Sequence, residues 1–520
     1  MKTISTLFIA LCLCSTIFIL KNNKTIVSAS PSTLIVSDDE FNSIQEAINN
    51  ASTGDTIFVR KGTYYENIVI NKSITLIGED KENTIIDGSG KETVVSVKAP
   101  YVNISGFTIR NSAPLTGCGI SIERYKNIIN NNKIINNGIG IQVIFPGENQ
   151  IYENLISTNY CGIELTYARV TTIYKNVITH NTYGVNIIYY SINNIVYENS
   201  FSSNNYGVYI SLYSNNNIFY HNNFVDNIYH VYAEQTTNIW SYNNEGNYWS
   251  DYKGQDINGD GIGDTPYNIT GKNKDNYPLM GKFYAFAVSL EGYIYKVAII
   301  SNSTILGFTF KNAVESKSRV MLFDASCITG SSGFSRLAIP RGVMKSIHTV
   351  LVNEKEVNAT LLNITDEATI FMYLIYSGNC SITIVYSELL DLYYQLLANY
   401  LELLNRYNNL LNGYSNLSES HYILLEEYLN LKEKMLALNI SNSGLLEQFQ
   451  MLNETLYNLL EDYNKLQNEI DSANLSYQTQ AQNFKDLLYI FAAMTTVFIA
   501  TTIYLSKKAH EKGGTEFTKS

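Results

Sequence analysis

From Asp256 to Asp264 the chain reads Asp-Ile-Asn-Gly-Asp-Gly-Ile-Gly-Asp. Side-chain oxygens at the first, third and fifth positions (Asp256, Asn258, Asp260) precede Gly261. The backbone carbonyl of Ile262 and the carboxylate of Asp264 follow, which is the spacing of the first part of a calcium loop. The twelfth position, where an acidic residue would close the loop, is Tyr267. Calcium is thus the cofactor this segment implies, and a polar Asp-Gly turn is its plainer reading. Tyr152, Tyr174, Tyr197 and Tyr220 form a second pattern, each directly after an apolar residue (Ile151, Ile173, Val196, Phe219). Strand alternation points such tyrosines outward, where their rings can bind the flat faces of sugars or stack on one another.

Cysteines add little chemistry. Cys327 and Cys380 are expected to pair as a disulfide, as an exported domain allows. Cys118 and Cys161 lie two repeats apart with Ile139 between them, at roughly 10 Å, beyond disulfide reach. They are expected to stay as buried thiols. Glu153, Lys175 and Glu198 occupy one column and read as a charge-compensated exposed ladder.

These residues need something to position them, and it is a repeat. The glycine of a Gly-Ile/Val step recurs at Gly119, Gly140, Gly162, Gly184 and Gly207, with His230 next, at spacings of 21, 22, 22, 23 and 23. Eight residues before the last five sit Asn132, Asn154, Asn176, Asn199 and Asn222. Three before them sit Asn137, Asn159, Asn181, Asn204 and Asn227. Apolar columns keep step: Ile134, Ile156, Ile178, Phe201, Phe224, then Ile141, Ile163, Val185, Val208, Val231. A period near 22 with short strands predicts a parallel β-helix, whose coils share one core and whose asparagines form amide ladders. A leucine-rich repeat has this period too, but its leucine spacing and helical half are missing. An amphipathic helix within Asp39–Ala51, with Phe41, Ile44, Ala47, Ile48 and Ala51 on one face, is expected to cover the open end.

Residues 34 to 281 resemble a known family. The run from Asp38 to Asp87 is similar to the opening of pectin-lyase-like right-handed β-helices. The Asn-rich coils resemble NosD-type and carbohydrate-binding/sugar-hydrolase repeats. Asn247-Tyr248-Trp249-Ser250-Asp251-Tyr252 and Asp260 to Tyr267 resemble the end of such domains. The resemblance implies fold more than activity, since the family mixes enzymes, binding proteins and structural modules. It raises copper, which favours gathered His, Met and Cys. His180, His221 and His230 stand at different offsets in the repeat, so copper is not expected. Paired aspartates with a Gly-His-Gly step, the polygalacturonase pattern, are absent. Arg169 is the only arginine between Arg124 and Arg319, which leaves little to serve as a lyase base.

Downstream, residues 282 to 386 carry strand-like runs without a repeat and predict a β-sandwich. From 387 to 482 leucine recurs every seventh residue, Leu389 to Leu466, with Tyr393, Tyr400, Tyr407 and Tyr414 three before the next leucine. This a/d seam predicts a long coiled-coil stalk and a homo-oligomer, with Gly413 and Asn439 to Gly444 as points where it could fold into hairpinned pieces. The ends set the compartment. Residues 1 to 29 read as a signal peptide, Leu487 to Leu505 as a transmembrane helix, and 506 to 520 with Lys507, Lys508 and Lys512 as a cytoplasmic tail. Sequons at Asn71, Asn103, Asn268, Asn363 and Asn453 suit an exported glycoprotein. A net charge of −11 argues against a nucleic-acid partner. The fold expected is mainly β: a right-handed parallel β-helix, a β-sandwich, a helical stalk and one membrane helix. The function expected is that of a cell-surface structural or carbohydrate-binding adhesion module, with surface polysaccharide or envelope proteins as partners. The alternative is a polysaccharide-modifying lyase or glycoside hydrolase on the same scaffold.

Overall fold

The computed structural model describes residues 30–37, 39–145, 147–327, 331–438 and 443–513, with side chains except at 436–438, 443–446, 491 and 498–513. The expected signal peptide therefore lies outside the described residues, as do 514–520 of the tail. The chain divides into two compact units. One runs up to Leu306 and adds Asp324–Arg341 and Asn358–Cys380; the other holds Gly307–Phe323, Gly342–Val357 and the chain from Ser381 onward.

The first unit contains the β-helix. Three parallel sheets of nine, nine and eight short strands run along it, and each coil visits them in turn. Coils connecting parallel strands in one sheet wind right-handed, because twisted strands pack back on the sheet only that way. The registers are those of the apolar columns. Ile129, Ile151, Ile173, Val196 and Phe219 align on the first sheet. Ile134, Ile156, Ile178, Phe201, Phe224 and Trp249 align on the second. Ile141, Ile163, Val185, Val208 and Val231 align on the third. All point into one buried core.

Asparagine closes the corners. Along Asn132, Asn154, Asn176, Asn199 and Asn222, the backbone N–H and side-chain Nδ2 of each residue both donate to Oδ1 of the next, at 2.9–3.2 Å. Asn137, Asn159, Asn181, Asn204 and Asn227 repeat the arrangement at the next corner, at 2.9–3.1 Å. The bend itself is not made by these asparagines. The left-handed conformation falls one residue earlier, at Glu153, Lys175, Glu198 and His221, with φ of 55–56°. At the other corner it falls on Asn136, Thr158, His180 and Ser203, with φ of 54–57°. The ladder positions select asparagine for its amide, and poorer turn formers carry the strained φ beside it.

A third ladder had no place in the sequence reading because one rung is not asparagine. Asn127 accepts Val102 N–H and donates to Asn149; below them Thr171, Asn194, Asn217 and Asn238 continue the column. At the break, Asn149 Nδ2 and Thr171 Oγ1 are both buried without partners. Thr171→Asn is expected to join the two halves and stabilise the chain by about 1–2 kcal/mol, read as a higher urea midpoint. An unchanged or lower midpoint would mean that the rungs contribute little.

The glycine column has a different cause. A Cβ on Gly162 would lie 2.5 Å from the carbonyl oxygen of Gly184 in the next coil, so the backbones meet too closely for any side chain. Both ends of the stack are covered. Helix α1, Ile44–Asn50, is capped by Ser43, whose hydroxyl accepts Glu46 N–H, and it buries Ile44, Ala47 and Ile48. The expected helix was longer, but Ser43 starts it after Phe41, which packs on the core from outside the helix. At the other end Trp249 stacks on Phe224 at 4.4 Å and is covered by Tyr267 at 4.3 Å. The first ladder passes through Asn247 and stops at Asp275, which takes N–H groups from Asn247, Trp249 and Tyr277. Burial pushes that carboxyl up to about 6.

Residues 282 to 387 form two five-stranded antiparallel sheets, one in each unit. In the first unit, the sheet of Lys282–Leu290, Tyr293–Ser301, Ser332–Pro340, Thr360–Leu361 and Thr369–Ser377 is tied to the β-helix. Asn223 and Phe283 exchange hydrogen bonds of 2.9 and 2.7 Å, and Lys296 reaches Glu198 at 3.0 Å. Glu198, expected in an exposed ladder, is therefore paired, with its side chain only 4% exposed.

In the second unit, helices α2 (Glu388–Leu438) and α3 (Ser443–Gly513) run antiparallel. Tyr428 meets Asn453, His421 stacks on Tyr463 at 4.2 Å, and Tyr414 accepts from Gln467. These contacts pair the two helices within one chain rather than as one unbroken stalk. Gly413 does not interrupt α2. The base of α2 is fixed by Asp391, which accepts from Ser346 and His348, both at 2.9 Å. No helix among the described residues is long and apolar enough to cross a membrane; the second half of the expected 487–505 span has no described side chains.

Candidate functional site

The third sheet of the β-helix carries a step. On one of its outward columns, Cys118, Ile139 and Cys161 are followed by Tyr183, Tyr206 and Tyr229. On the neighbouring column, Ser121, Gln142, Glu164 and Asn186 are followed by Tyr209 and Tyr232. Small or short side chains thus give way to tyrosines at consecutive coils, and the change opens a depression of about 230 Å³. Leu115, Tyr160, Ile188 and the residues at the step line it.

The aromatic side is a rigid wall. Tyr183 stacks on Tyr206 at 5.3 Å, Tyr206 on Tyr229 at 5.0 Å, and Tyr209 on Tyr232 at 4.9 Å. Tyr183 also meets Tyr209 edge-on at 5.5 Å. Parallel stacking consumes ring faces except at the first ring of each column, so Tyr183 faces Cys161 and Tyr209 faces Asn186 across the step. The floor is polar. Gln142 Nε2 donates to Glu164 Oε1 at 2.9 Å, and Asn186 Nδ2 donates to Glu164 Oε2 at 3.0 Å. Asn186 Oδ1 is buried without a partner. Burial, with the Glu164 carboxylate adding to it, raises both Cys118 and Cys161 thiols, Cys118 to about 11, so neither is a nucleophile.

The residues singled out from sequence lie elsewhere. Tyr152, Tyr174, Tyr197 and Tyr220 do share a column, on the first sheet, but their rings stack on one another at 4.7, 5.1 and 5.1 Å, within 15° of parallel. Stacking covers the facing sides of these rings, and burial raises Tyr174, Tyr197 and Tyr220 to about 12. Cys327 and Cys380 are free thiols, a departure from the expected disulfide. Cys327 Sγ is turned instead toward the Gly378 carbonyl at 3.2 Å. In the loop from Asp256 to Asp264 the carboxylates face the backbone. Asp256 accepts Asp260 and Gly261 N–H, Asp260 accepts Ile262 N–H, and Asp264 accepts Ile257 N–H, with Asn258 bridging to Asp260. Among the described residues no three His, Cys, Asp or Glu side chains gather as a metal group. His180 bonds Thr179, His221 pairs with Glu245, and His230 with Asp251.

What this architecture defines is a parallel β-helix of three sheets. Residues 48–254 match the family described as periplasmic copper-binding protein (NosD). A cell surface glycoprotein of Methanothermus fervidus is 38% identical over 96 residues, which is 17% of this chain and 16% of that protein. Only a small part of that relative's length is spanned. Among solved structures, pectin methylesterase from carrot is similar over 41% of this chain and 83% of its own, with 10% identity and a TM-score of 0.32. An alginate lyase from Paenibacillus sp. str. FPU-7 is similar over 42% and 98%, with 16% identity and a TM-score of 0.30. Likenesses of this size carry no inference about activity.

Proposed function

We propose that this is an extracellular surface protein, anchored in the membrane by its C-terminal helix, whose β-helix head contacts carbohydrate or envelope partners. The observation that carries the anchor is the run Leu487–Leu505, free of charge and followed by Lys507, Lys508 and Lys512, within the continuous helix α3. The cell-surface and periplasmic titles of the relative and the family support an outer location. The full chain is expected in the membrane fraction after alkaline carbonate washing. A chain ending at Asp486 is expected in the soluble fraction, and equal distribution of the two would refute the anchor. Leu424, Leu431, Leu452, Leu459 and Leu466 remain 40–53% exposed on the helical pair, which supports self-association through the stalk. Sedimentation of the chain ending at Asp486 reads that directly.

A further inference from the structure

We infer that the step on the third sheet binds a neutral, hydroxyl-rich sugar ring; this rests on the reading that the head contacts carbohydrate and assigns it a site and a ligand class. One aromatic face, that of Tyr209, ends its column at this coil boundary, while Tyr183 packs against Cys118, Ile139 and Cys161 with Tyr160 edge-on at 5.6 Å. An aromatic face over an open floor suits the C–H face of a pyranose, which is flat and apolar on one side and polar at its rim. The depression, about 230 Å³, is the size for one ring and is open enough for a chain to continue beyond it.

The polar floor decides what kind of ring. Gln142 and Asn186 spend side-chain N–H groups on Glu164. The carboxylate of Glu164, which lines the depression, keeps spare lone pairs. No lysine or arginine lines the depression. A uronate would set its own carboxylate beside Glu164 with no cation to offset the repulsion. Hydroxyls, or the N–H of an acetamido group, meet no such penalty. The preference is therefore for neutral over acidic saccharides.

Full-length protein in detergent micelles can be titrated with mannotetraose, cellotetraose and tetragalacturonate, using ligand-observed NMR saturation transfer and calorimetry. At least one neutral tetramer is expected to bind, with tetragalacturonate about tenfold weaker or worse. Tyr209→Ala is expected to weaken the neutral tetramer by about tenfold, the size of one aromatic contact. Glu164→Gln keeps shape and fold, and should narrow the gap between neutral and acidic probes. Tyr174→Phe, on the other column, should change nothing. Equal binding of tetragalacturonate, indifference to both Tyr209→Ala and Glu164→Gln, or no binding of either neutral tetramer would each overturn the site. Membrane partition of the same preparation is read separately, so loss of sugar binding and loss of the anchor cannot be confused.

Discussion

Replacing Asn176 by Leu is expected to unfold the head, or to lower its stability by about 5 kcal/mol where it still folds. Asn176 is 1% exposed, at the middle of the first ladder. Its Oδ1 accepts both N–H groups of Asn154, at 3.0 and 3.0 Å. Its Nδ2 donates to Ile151 O, Tyr174 O and Asn199 Oδ1 at 2.8, 3.0 and 2.9 Å. Leucine has similar volume but leaves these groups buried and unpaired, at about 1–3 kcal/mol for each one that water does not reach. A domain with a net stability on the order of 5–15 kcal/mol cannot absorb several such losses. Urea unfolding followed by far-UV circular dichroism measures the change; a loss below about 1 kcal/mol would mean that the ladder is ornament on a core that holds itself.

Arg336→Met should cost about 3–5 kcal/mol for a different reason. Arg336, 3% exposed, bonds Glu245 at 2.7 Å, while His221 holds the same carboxylate at 2.6 Å and stacks on Phe283. Removing the guanidinium leaves a buried charge uncompensated. The same cluster makes a pH signature. Burial opposes the charge of Glu245, but the His221 bond and the Arg336 guanidinium outweigh it and hold the carboxyl at about 2, below its ordinary 4.5. A lowered acid pKa stabilises the fold above about 4.5, and that contribution, about 3 kcal/mol, fades as pH falls from 4.5 toward 2. Urea midpoints between pH 2 and 6 should drop toward acid in the parent chain and drop less in Arg336→Met. Parallel pH profiles for the two would refute this account.

The β-helix was legible because period and chemistry coincide. A glycine that must admit a neighbouring carbonyl, an asparagine that must bond its own copy and an apolar residue that must face the core recur together, so each confirms the others. The third ladder escaped since Thr171 breaks it, and the corner strain escaped since Glu153, Lys175 and His180 are not residues that announce a left-handed turn. The tyrosine column was visible: outward alternation was right, and stacking at the coil spacing turns six of its eight ring faces upon each other. The stepped groove depends on where two columns change from short to aromatic, at Cys161 to Tyr183 and Asn186 to Tyr209. That signal is a discontinuity, and a search for repetition passes over it. The heptad of the stalk shows the reverse limit, since leucine spacing specifies a seam and not whether the partner helix belongs to another chain or to the same one.

Asp275 has a meaning in polymer terms. Every rung of the first ladder donates toward the C-terminal side and accepts from the N-terminal side, so in principle the column could lengthen without end, one chain seeding the next. A carboxylate accepts but has no N–H to pass on. Asp275, receiving from Asn247 and Trp249, acts as a chain terminator for the amide column, and Trp249 beneath Tyr267 does the same for the aromatic core. Neighbouring heads are thereby kept from growing end to end into a fibre.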